Sequence, residues 1–349
     1  MKKNIYLLLI TFMFPEYTYA KNLNSLNTLN FNIDESIFHS IDYYIKLPKK
    51  FKCSSPPPSY ISLKNNQRII AIGDLHGDFY SLLYSLHKSN VIDLNGKWVG
   101  KNTLVVQVGD QIDKGGRGVE ITDDDVLEEL KIMEFLHDLH FKALKSGGGV
   151  FNLIGNHEIM NVLGDFNYVS KHHMNGFGGQ EIRKKLFEPG GALAQKLACN
   201  TNALLKVGDW IFVHAGLLPE HIEKYSIKDI NDTVRELLLG NLSFDTINED
   251  IRNIIVGNTG FLWSRKYSNG TDPDRCSELE KVMGILKIGN KGGMVVGHTI
   301  KSQISNDCNE RLWMVDVGMS PAFRQDNNKR NSRIQVLEIK DNGRIVRSI

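Results

Sequence analysis

Five short polar clusters, each directly after a run of β-prone apolar residues, constrain the fold of this chain more than any other feature. The apolar runs occupy residues 69–72, 103–108, 150–154, 210–213 and 294–297. The polar residues that follow them are Asp74 and His76; Asp110 and Asp113; Asn156, His157 and Glu158; His214; and His298. Short apolar runs punctuated by glycine are typical of buried strands. The order therefore predicts an α/β enzyme that builds one site from loops at strand ends.

The spacing within the first cluster indicates how such a site could bind a metal ion. Asp74 and His76 lie two positions apart, between Gly73 and Gly77. In extended backbone, residues i and i+2 point to the same side, so the carboxylate and the imidazole can reach one ion together. Taken alone, this pair is equally typical of a turn aspartate and a surface histidine. Five clusters in the same context favour a shared site.

The residue types in the clusters fit hard or borderline divalent ions. Carboxylate, imidazole and amide oxygen bind such ions while positions stay open for water and substrate. No cysteine occurs in any cluster, which disfavours a thiolate zinc site. One catalytic ion with open positions needs fewer ligands than the six candidates Asp74, His76, Asp110, Asn156, His214 and His298. We therefore predict two ions, an arrangement that clamps a phosphoryl group.

Five motifs in this order resemble the signature of the phosphoprotein-phosphatase-type metallophosphoesterases. They are GDLHG at 73–77, GDQID at 109–113, GNHE at 155–158, HAG at 214–216 and GHT at 297–299. GNHEIMNV at 155–162, GDF at 164–166 and MVVGHT at 294–299 further resemble the Shewanella-like protein phosphatases. The resemblance implies an α/β, calcineurin-like fold, in which helices flank a two-sheet β-sandwich.

The resemblance also implies a role for each candidate. Asp74 and His76 would hold the first metal, Asp110 would bridge both, and the second metal would be held by Asn156, His214 and His298. His157 would protonate the leaving oxygen, and Asp113 would orient its imidazole. We expect manganese or iron, with zinc as an alternative, since the ligand set does not select among them.

The chain departs from the family pattern directly after Asp113. A phosphate-binding arginine usually stands there, whereas this chain has Lys114. Lysine neutralises phosphate as a point charge but lacks the planar fork of arginine. We expect Lys114 and Arg117 to share phosphate binding. Other candidates are Arg265, which lies in a Trp-x-Arg segment like that of similar proteins, Arg183 and Arg275, and for each arginine the alternative is a solvated surface position.

The predicted function is a phosphoprotein phosphatase that hydrolyses phosphomonoesters with hydroxide activated by two metals. The superfamily implies phosphoserine and phosphothreonine, and the Shewanella-like branch implies phosphotyrosine. One alternative is a hydrolase of dinucleoside polyphosphates or other small phosphoesters. The other is an inactive secreted binding protein of the same fold, which the altered sequence at Lys114 supports. The expected partner is a phosphoprotein; a net charge of +2 with scattered basic residues gives no support to nucleic-acid binding.

The N-terminus predicts the cellular location. Lys2 and Lys3 precede an apolar stretch at 5–14, and Ala20 ends a segment suited to cleavage, so residues 1–20 predict a signal peptide. The rival interpretation, a membrane anchor, requires enough residues to span about 30 Å of hydrocarbon, which this stretch lacks. We therefore expect a protein of the secretory pathway, in the endoplasmic reticulum lumen, a secretory organelle or outside the cell, with no integral membrane segment after cleavage.

The rest of the chain divides into a lead and a catalytic domain. Residues 21–66 form an N-terminal lead that is either packed on the domain or a linker, and residues 67–349 form the metallophosphoesterase domain. Within it, residues 163–203 predict a cap over the site, with a surface subdomain as the alternative. Helices are predicted at 123–145, 180–187, 233–239 and 276–286, and closing strands at 312–317 and 334–339.

The four cysteines leave the disulfide pattern open. Cys53, Cys199, Cys276 and Cys308 would meet an oxidising compartment if the signal peptide works. Four cysteines allow three full pairings, and unpaired thiols are the alternative.

Overall fold

The computed structural model describes residues 29–48, 53–64, 66–115, 125–269, 273–323 and 330–349. The strands are β1 (Tyr60–Ile61), β2 (Ile69–Ile72), β3 (Leu104–Gln107), β4 (Gly149–Leu153), β5 (Thr201–Asn202), β6 (Leu204–Val207), β7 (Trp210–Val213), β8 (Gly293–Val296), β9 (Ser305–Asp307), β10 (Leu312–Met314), β11 (Leu337–Lys340) and β12 (Ile345–Ser348). The helices are α1 (Ile41–Ile45), α2 (Phe79–Lys88), α3 (Glu128–Leu144), α4 (Asn156–Val162), α5 (Lys171–Gly176), α6 (Gln180–Phe187), α7 (Ala192–Asn200), α8 (Pro219–Ile222), α9 (Ile227–Leu238), α10 (Glu249–Val256), α11 (Arg275–Ile285) and α12 (Arg330–Arg333).

The strands form two six-stranded sheets. The first has the order β1-β6-β7-β8-β10-β9, and the second has the order β12-β11-β2-β3-β4-β5. Strands β2, β3, β4 and β5 run parallel, as do β7, β8 and β10. The carboxyl ends of parallel strands meet at one edge of a sheet, which is where open α/β sheets bind their ligands. The predicted architecture of two sheets flanked by helices is confirmed.

Successive side chains of the first sheet alternate between two hydrophobic cores, one on each face of the sheet. Leu205 and Phe212 belong to the core shared with the second sheet, whereas their neighbours Leu204 and Ile211 belong to the core that faces α7 and α9. This is the period of two expected of a strand. Helices α2 and α3 cover the outer face of the second sheet through residues such as Leu136. Complete burial of one such side chain contributes roughly 1.5–3 kcal/mol. The fold therefore has four layers: helices α7 and α9, the first sheet, the second sheet, and helices α2 and α3. Their packing stabilises the sheet edge at which the polar clusters lie.

The described part of the N-terminal lead packs on the domain. Tyr44 of α1 is buried, and its hydroxyl donates a hydrogen bond to the carboxylate of Glu134 on α3. Phe31 and Ile33 pack against the core, and β1 pairs with β6. Residues 29–48 and 53–64 of the lead are therefore packed on the domain and do not act as a linker. Residues 1–20, which carry the predicted signal peptide, lie outside the described ranges.

All four cysteines are paired in two disulfides. Cys53 in the lead is bonded to Cys199 on α7, and Cys276 on α11 is bonded to Cys308 after β9. Disulfides persist in oxidising compartments. The two bonds therefore hint at such a location, and they select one of the three pairings that the sequence leaves open.

Three predicted helices start at other residues in the structure, and α11 begins at Arg275, one residue before the predicted start. Helix α9 begins at Ile227 rather than at residue 233, because the Ser226 hydroxyl accepts the Asp229 N–H while the Asp229 carboxylate accepts the Ser226 N–H. This reciprocal capping satisfies donors at the helix start. Helix α3 begins at Glu128 rather than at residue 123, and residues 116–124 are not described.

The segment predicted as a cap, residues 163–203, has regular secondary structure and contributes to the core. It contains α5, α6, α7 and β5, and Leu193 and Leu197 of α7 are buried in the main core. A cap role for residues 163–203 stays a prediction. Across the described residues, no helix combines the length and apolar character that a bilayer crossing requires.

Candidate metal centre

The six predicted ligands lie together where β2, β3, β7 and β8 end and α4 begins; we call them the strand-end cluster. Asp110 stands at its centre: its Oδ2 atom lies 3.3 Å from Nε2 of His214 and 3.6 Å from Nε2 of His76. Two groups of side chains could each hold an ion, one formed with His76 and His157 and one with His214 and His298. Asp110 is common to both.

The remaining predicted ligands complete the cluster. Asn156 Oδ1 lies 3.0 Å from Nε2 of His214. Asp74 lies on the other side, where Oδ2 is 4.0 Å from Nε2 of His76 and accepts the backbone N–H of His298 at 3.0 Å. Donor atoms bound to one ion at about 2.0–2.2 Å are necessarily only a few ångströms apart, so these separations suit a divalent cation.

Hydrogen bonds to backbone carbonyls orient two of the imidazoles. His76 Nδ1 lies 3.2 Å from the carbonyl oxygen of Ile112, and His214 Nδ1 lies 3.0 Å from that of Val108. A ring nitrogen that faces a carbonyl oxygen must carry the proton. With the proton on Nδ1, Nε2 is the nitrogen of each ring that remains to bind a metal, which is the usual arrangement around metal-binding histidine.

The loops of the cluster have an uncommon backbone conformation. The φ angles of His76, Asp110, Asp113 and His298 are 41°, 52°, 71° and 64°, in the left-handed region. Such residues cost about 1–3 kcal/mol each, and they persist only where the surrounding structure imposes them. Such conformations cluster at active sites, so four of them in this region favour a functional role for it.

Glu158 supplies part of that restraint. Its buried carboxylate accepts the backbone N–H groups of Asp110, Gln111 and Gly155 at 3.0, 2.8 and 2.6 Å. Burial and the neighbouring Asp110 carboxylate raise the pKa of Glu158 to about 7. One side chain thus ties the loop after β3 to the start of α4.

Two motif glycines make room for the carboxylates. A Cβ atom on Gly155 would lie 2.1 Å from Oδ1 of Asp110, and one on Gly297 would lie 2.2 Å from Oδ1 of Asp74. Both distances are far below van der Waals contact. Any larger residue at either position would displace a predicted ligand.

The electrostatics of the cluster call for a cation. Burial, together with the carboxylates of Asp316 and Asp110, raises the pKa of Asp74 well above its ordinary value. Burial also opposes ionisation of Asp110, but the neighbouring histidines, His214 first, hold its pKa well below the usual range. Burial and His214 lower the pKa of His298 to about 3, so this imidazole is neutral, as a metal ligand must be. The residues present therefore fit divalent metal ions.

His157 lies beside the cluster and is paired with Asp113. Its Nδ1 atom is 2.7 Å from Asp113 Oδ2, and its Nε2 atom is 3.8 Å from Asp110 Oδ2. By distance alone His157 could be a further ligand. Its pairing with a buried carboxylate is also the arrangement that orients a proton-transferring histidine.

Arg183 lies in a buried network of hydrogen bonds, although the sequence leaves it among the candidates for phosphate binding. The side chain is fully buried. Its three nitrogens donate to Asn161 Oδ1 at 2.7 Å, Glu129 Oε2 at 2.8 Å and Asp113 Oδ1 at 3.0 Å. Phosphate binding by Arg183 is therefore the wrong assignment, because its guanidinium is committed to protein groups.

Lys114 is placed less favourably for phosphate than the sequence predicts. Its side chain is buried, and the ammonium group donates to the carboxylate of Glu128. A phosphate role would require this ion pair to open. Its predicted partner Arg117 lies outside the described residues.

Arg265 lies beside the strand-end cluster. It is exposed, its Nη1 atom donates to Thr299 Oγ1 at 2.9 Å, and Thr299 directly follows His298. The charge of Arg265 contributes to the lowered pKa of His298, after the larger effects of burial and His214. Arg275, in contrast, pairs with Asp307 near the second disulfide.

Two aromatic residues that the sequence analysis missed flank the histidines. The Tyr168 ring lies 4.9 Å from the ring of His157, and the Phe323 ring lies 4.8 Å from that of His76. Tyr168 is 36% exposed and belongs to the predicted cap at 163–203, the one signal that pointed to it. Phe323 follows β10 in a short turn of helix, and no spacing in the sequence marks it.

Several known proteins resemble this chain in sequence or in fold. A family model described as calcineurin-like phosphoesterase matches residues 67–302. Shewanella-like protein phosphatase 2 of Arabidopsis thaliana is 32% identical, with 73% of this chain and 72% of the relative covered. Shewanella-like protein phosphatase 1 of Plasmodium berghei is 34% identical, with 78% and 73% covered. The crystal structure of a cold-active protein-tyrosine phosphatase of a psychrophile, Shewanella sp., shares the fold with a TM-score of 0.65 and 22% identity, covering 87% of this chain and 86% of that one.

Proposed function

Since the chain belongs to the calcineurin-like phosphoesterases, and among them to the Shewanella-like protein phosphatases, we propose that it is a metal-dependent protein phosphatase. The observation that carries the proposal is the carboxylate of Asp110, which two groups of histidines share. A shared carboxylate is what a site for two neighbouring ions requires, and such sites serve phosphoester hydrolysis.

The strand-end cluster supplies the ligands. Asp74 and His76 would hold one ion, and Asn156, His214 and His298 would hold the other, with Asp110 between them. When bound, the two ions supply charge to the phosphoryl oxygens and lower the pKa of water toward neutrality. Oxygen and imidazole donors suit manganese or iron, with zinc as an alternative.

His157 acts as the proton donor in this proposal. Its Nδ1–H group donates to Asp113 at 2.7 Å, which leaves Nε2 directed toward the cluster. A proton from Nε2 passes to the leaving oxygen as its bond to phosphorus breaks. Asp113 keeps the ring in place and stabilises its positive charge before the transfer.

Arg265 is the principal phosphate-binding residue in this proposal. It is the candidate whose guanidinium lies next to the cluster and is exposed, and its hydrogen bond to Thr299 sets its direction. A guanidinium can donate two parallel hydrogen bonds to phosphate oxygens. Lys114 contributes only when its pair with Glu128 opens, and Arg117 remains a prediction from the sequence.

The flanking aromatic rings favour phosphotyrosine over phosphoserine and phosphothreonine. Tyr168 beside His157 and Phe323 beside His76 would form walls on which a flat aryl group can pack. Aromatic pairs contribute about 0.5–1.5 kcal/mol beyond their burial. The name of the Shewanella relative, a protein-tyrosine phosphatase, supports the same preference.

The test combines metal analysis with a substrate panel on the purified protein. We expect two equivalents of metal and faster hydrolysis of a phosphotyrosine peptide than of the matched phosphoserine peptide. Tyr168→Ala should narrow that ratio and leave metal content unchanged. Preferred hydrolysis of diadenosine tetraphosphate would favour the small-phosphoester alternative. Two bound metals with no turnover of any phosphoester would favour the inactive binding protein.

We also propose the secretory pathway as the location. Support comes from the disulfides Cys53–Cys199 and Cys276–Cys308 and from the predicted signal peptide at residues 1–20. N-terminal sequencing of protein recovered from its native source should begin at Lys21. Recovery of the chain with its first twenty residues intact would refute this location.

A further inference from the structure

We propose that Arg183, on α6, is a positioning residue that holds Asp113 so that Asp113 can hold the imidazole of His157 at the leaving oxygen. The inference deepens the proposed function and rests on it. It assigns to one buried arginine a role in proton donation, although its hydrogen bonds go to Asn161, Glu129 and Asp113 rather than to a predicted metal ligand.

The two carboxylate oxygens of Asp113 have separate partners. Oδ2 accepts the Nδ1–H group of His157 at 2.7 Å. Oδ1 accepts from Nη2 of Arg183 at 3.0 Å and from Nδ2 of Asn161 at 2.8 Å. With Oδ1 held from two directions, the carboxylate cannot rotate without breaking charged hydrogen bonds. Oδ2 is therefore presented to His157 in one orientation.

Arg183 is itself held by groups on two other helices. Nη1 donates to Glu129 Oε2 on α3 at 2.8 Å, and Nε donates to Asn161 Oδ1 on α4 at 2.7 Å. Glu129 also accepts the backbone N–H of Asp113 at 2.9 Å through Oε1. Arg183 and Glu129 thus hold both the side chain and the backbone of Asp113, whose left-handed conformation needs such support.

Aromatic rings keep water away from this network. The guanidinium carbon of Arg183 lies 4.4 Å from the ring centroid of Phe177, 5.1 Å from that of Phe187 and 6.0 Å from that of Phe166. Arg183 is fully buried. Burial opposes ionisation of Glu129, yet the neighbouring Arg183 charge keeps the pKa of that carboxyl below its ordinary value. Charged hydrogen bonds in such surroundings are stronger than in water.

Leaving-group dependence separates this role from a purely structural one. Phenolate needs a proton to depart, whereas p-nitrophenolate departs readily without one. General acid catalysis contributes about 10²–10⁴ in rate, so partial loss in Arg183→Met should lower kcat for phenyl phosphate by about 10–100-fold. The loss for p-nitrophenyl phosphate should stay within about threefold, because little proton transfer is needed. Arg183→Lys keeps the charge but lacks the planar guanidinium fork. Its kcat for phenyl phosphate should therefore lie between those of the unaltered protein and Arg183→Met.

The matched control is Arg235→Met. Arg235 is a second buried arginine, on α9, and donates to the carbonyl oxygen of Ala198 and to Asn202 rather than to the site. Arg235→Met should lower the melting temperature. It should leave the ratio of kcat for phenyl phosphate to kcat for p-nitrophenyl phosphate unchanged. Metal content should stay at the unaltered level in all three variants. Equal losses for both substrates in folded, metal-loaded Arg183→Met, or no loss, would overturn the proposal.

The remaining outcomes also decide between the possibilities. If Arg183→Met does not fold, the same ratio measured on Arg183→Lys tests the role: an unchanged ratio overturns it, and a selective loss for phenyl phosphate supports it. The imidazole Nδ1 proton of His157 gives a second readout, since a weaker bond to Asp113 moves its resonance upfield. Failure of the proposed function would appear in the unaltered protein as absent turnover of both esters, which is distinct from every result above.

Discussion

The strand-end cluster and the rim of the site differ in how tightly they are held; we use "rim" for Arg265, Tyr168 and Phe323. In the cluster, Asp74 and Asp110 are 1% exposed and His214 is fully buried. On the rim, Arg265 is exposed and Tyr168 is 36% exposed. The cluster residues share hydrogen bonds with one another and with backbone, whereas the Arg265 guanidinium donates a hydrogen bond to the Thr299 hydroxyl.

This difference in burial between the cluster and the rim separates metal binding from substrate selection. Metal binding requires donors fixed to within fractions of an ångström, and buried strand ends provide that. Substrate selection depends on side chains that loops present to solvent, where exchange of one residue costs the fold little. We therefore expect changes in the cluster to remove metal and activity together, and changes on the rim to alter substrate binding with the metal retained.

The largest effect should come from Asp110→Asn. The substitution keeps the shape of the side chain but removes the charge that both predicted ions share. Metal content should fall below two equivalents, and turnover should become undetectable. The control is Asp307→Asn, which breaks an ion pair with Arg275 away from the cluster. It should retain both the metal content and the turnover of the unaltered protein. Two tightly bound ions with ordinary turnover in Asp110→Asn would mean that this carboxylate does not bridge.

His157→Ala should have the next largest effect and should separate metal binding from proton transfer. Loss of a general acid costs about 10²–10⁴ in rate, so turnover of a phosphotyrosine peptide should fall by that range. Metal content should not change, since the six cluster residues remain. His221→Ala, at another buried histidine, should leave turnover intact. Near-normal turnover in His157→Ala contradicts the acid role, and lost metal would make His157 a ligand.

The cluster was predictable from the sequence because each of its residues lies near a strand end. Parallel strands bring their carboxyl ends to one edge, so local patterns place Asp74 near Asp110 in one sheet and His214 near His298 in the other. The resemblance then divided these residues into ligands. The same logic explains why β2 and β7 have the predicted bounds.

The support around Asp113 was not predictable, because no local pattern links its members. Glu129, Asn161 and Arg183 come from three helices and meet only through tertiary packing. Arg183 lies in an amphipathic helix, where a charged residue is normally expected on the solvent face. The structure buries it because Asp113 and Glu129 neutralise its charge. Side chains on loops, such as Tyr168, are equally beyond strand-and-spacing arguments.

The smallest of these effects should come from the rim, in Arg265→Ala. A hydrogen bond to a charged group contributes about 1.5–3 kcal/mol, so kcat/KM for the phosphotyrosine peptide should fall by about 10–100-fold. Metal content should stay at two equivalents, because Arg265 contacts Thr299 rather than a predicted ligand. Arg275→Ala is the matched control and should leave kcat/KM unchanged, since that arginine pairs with Asp307. A larger fall in Lys114→Met than in Arg265→Ala, with metal retained, would move phosphate binding from the rim to the buried lysine.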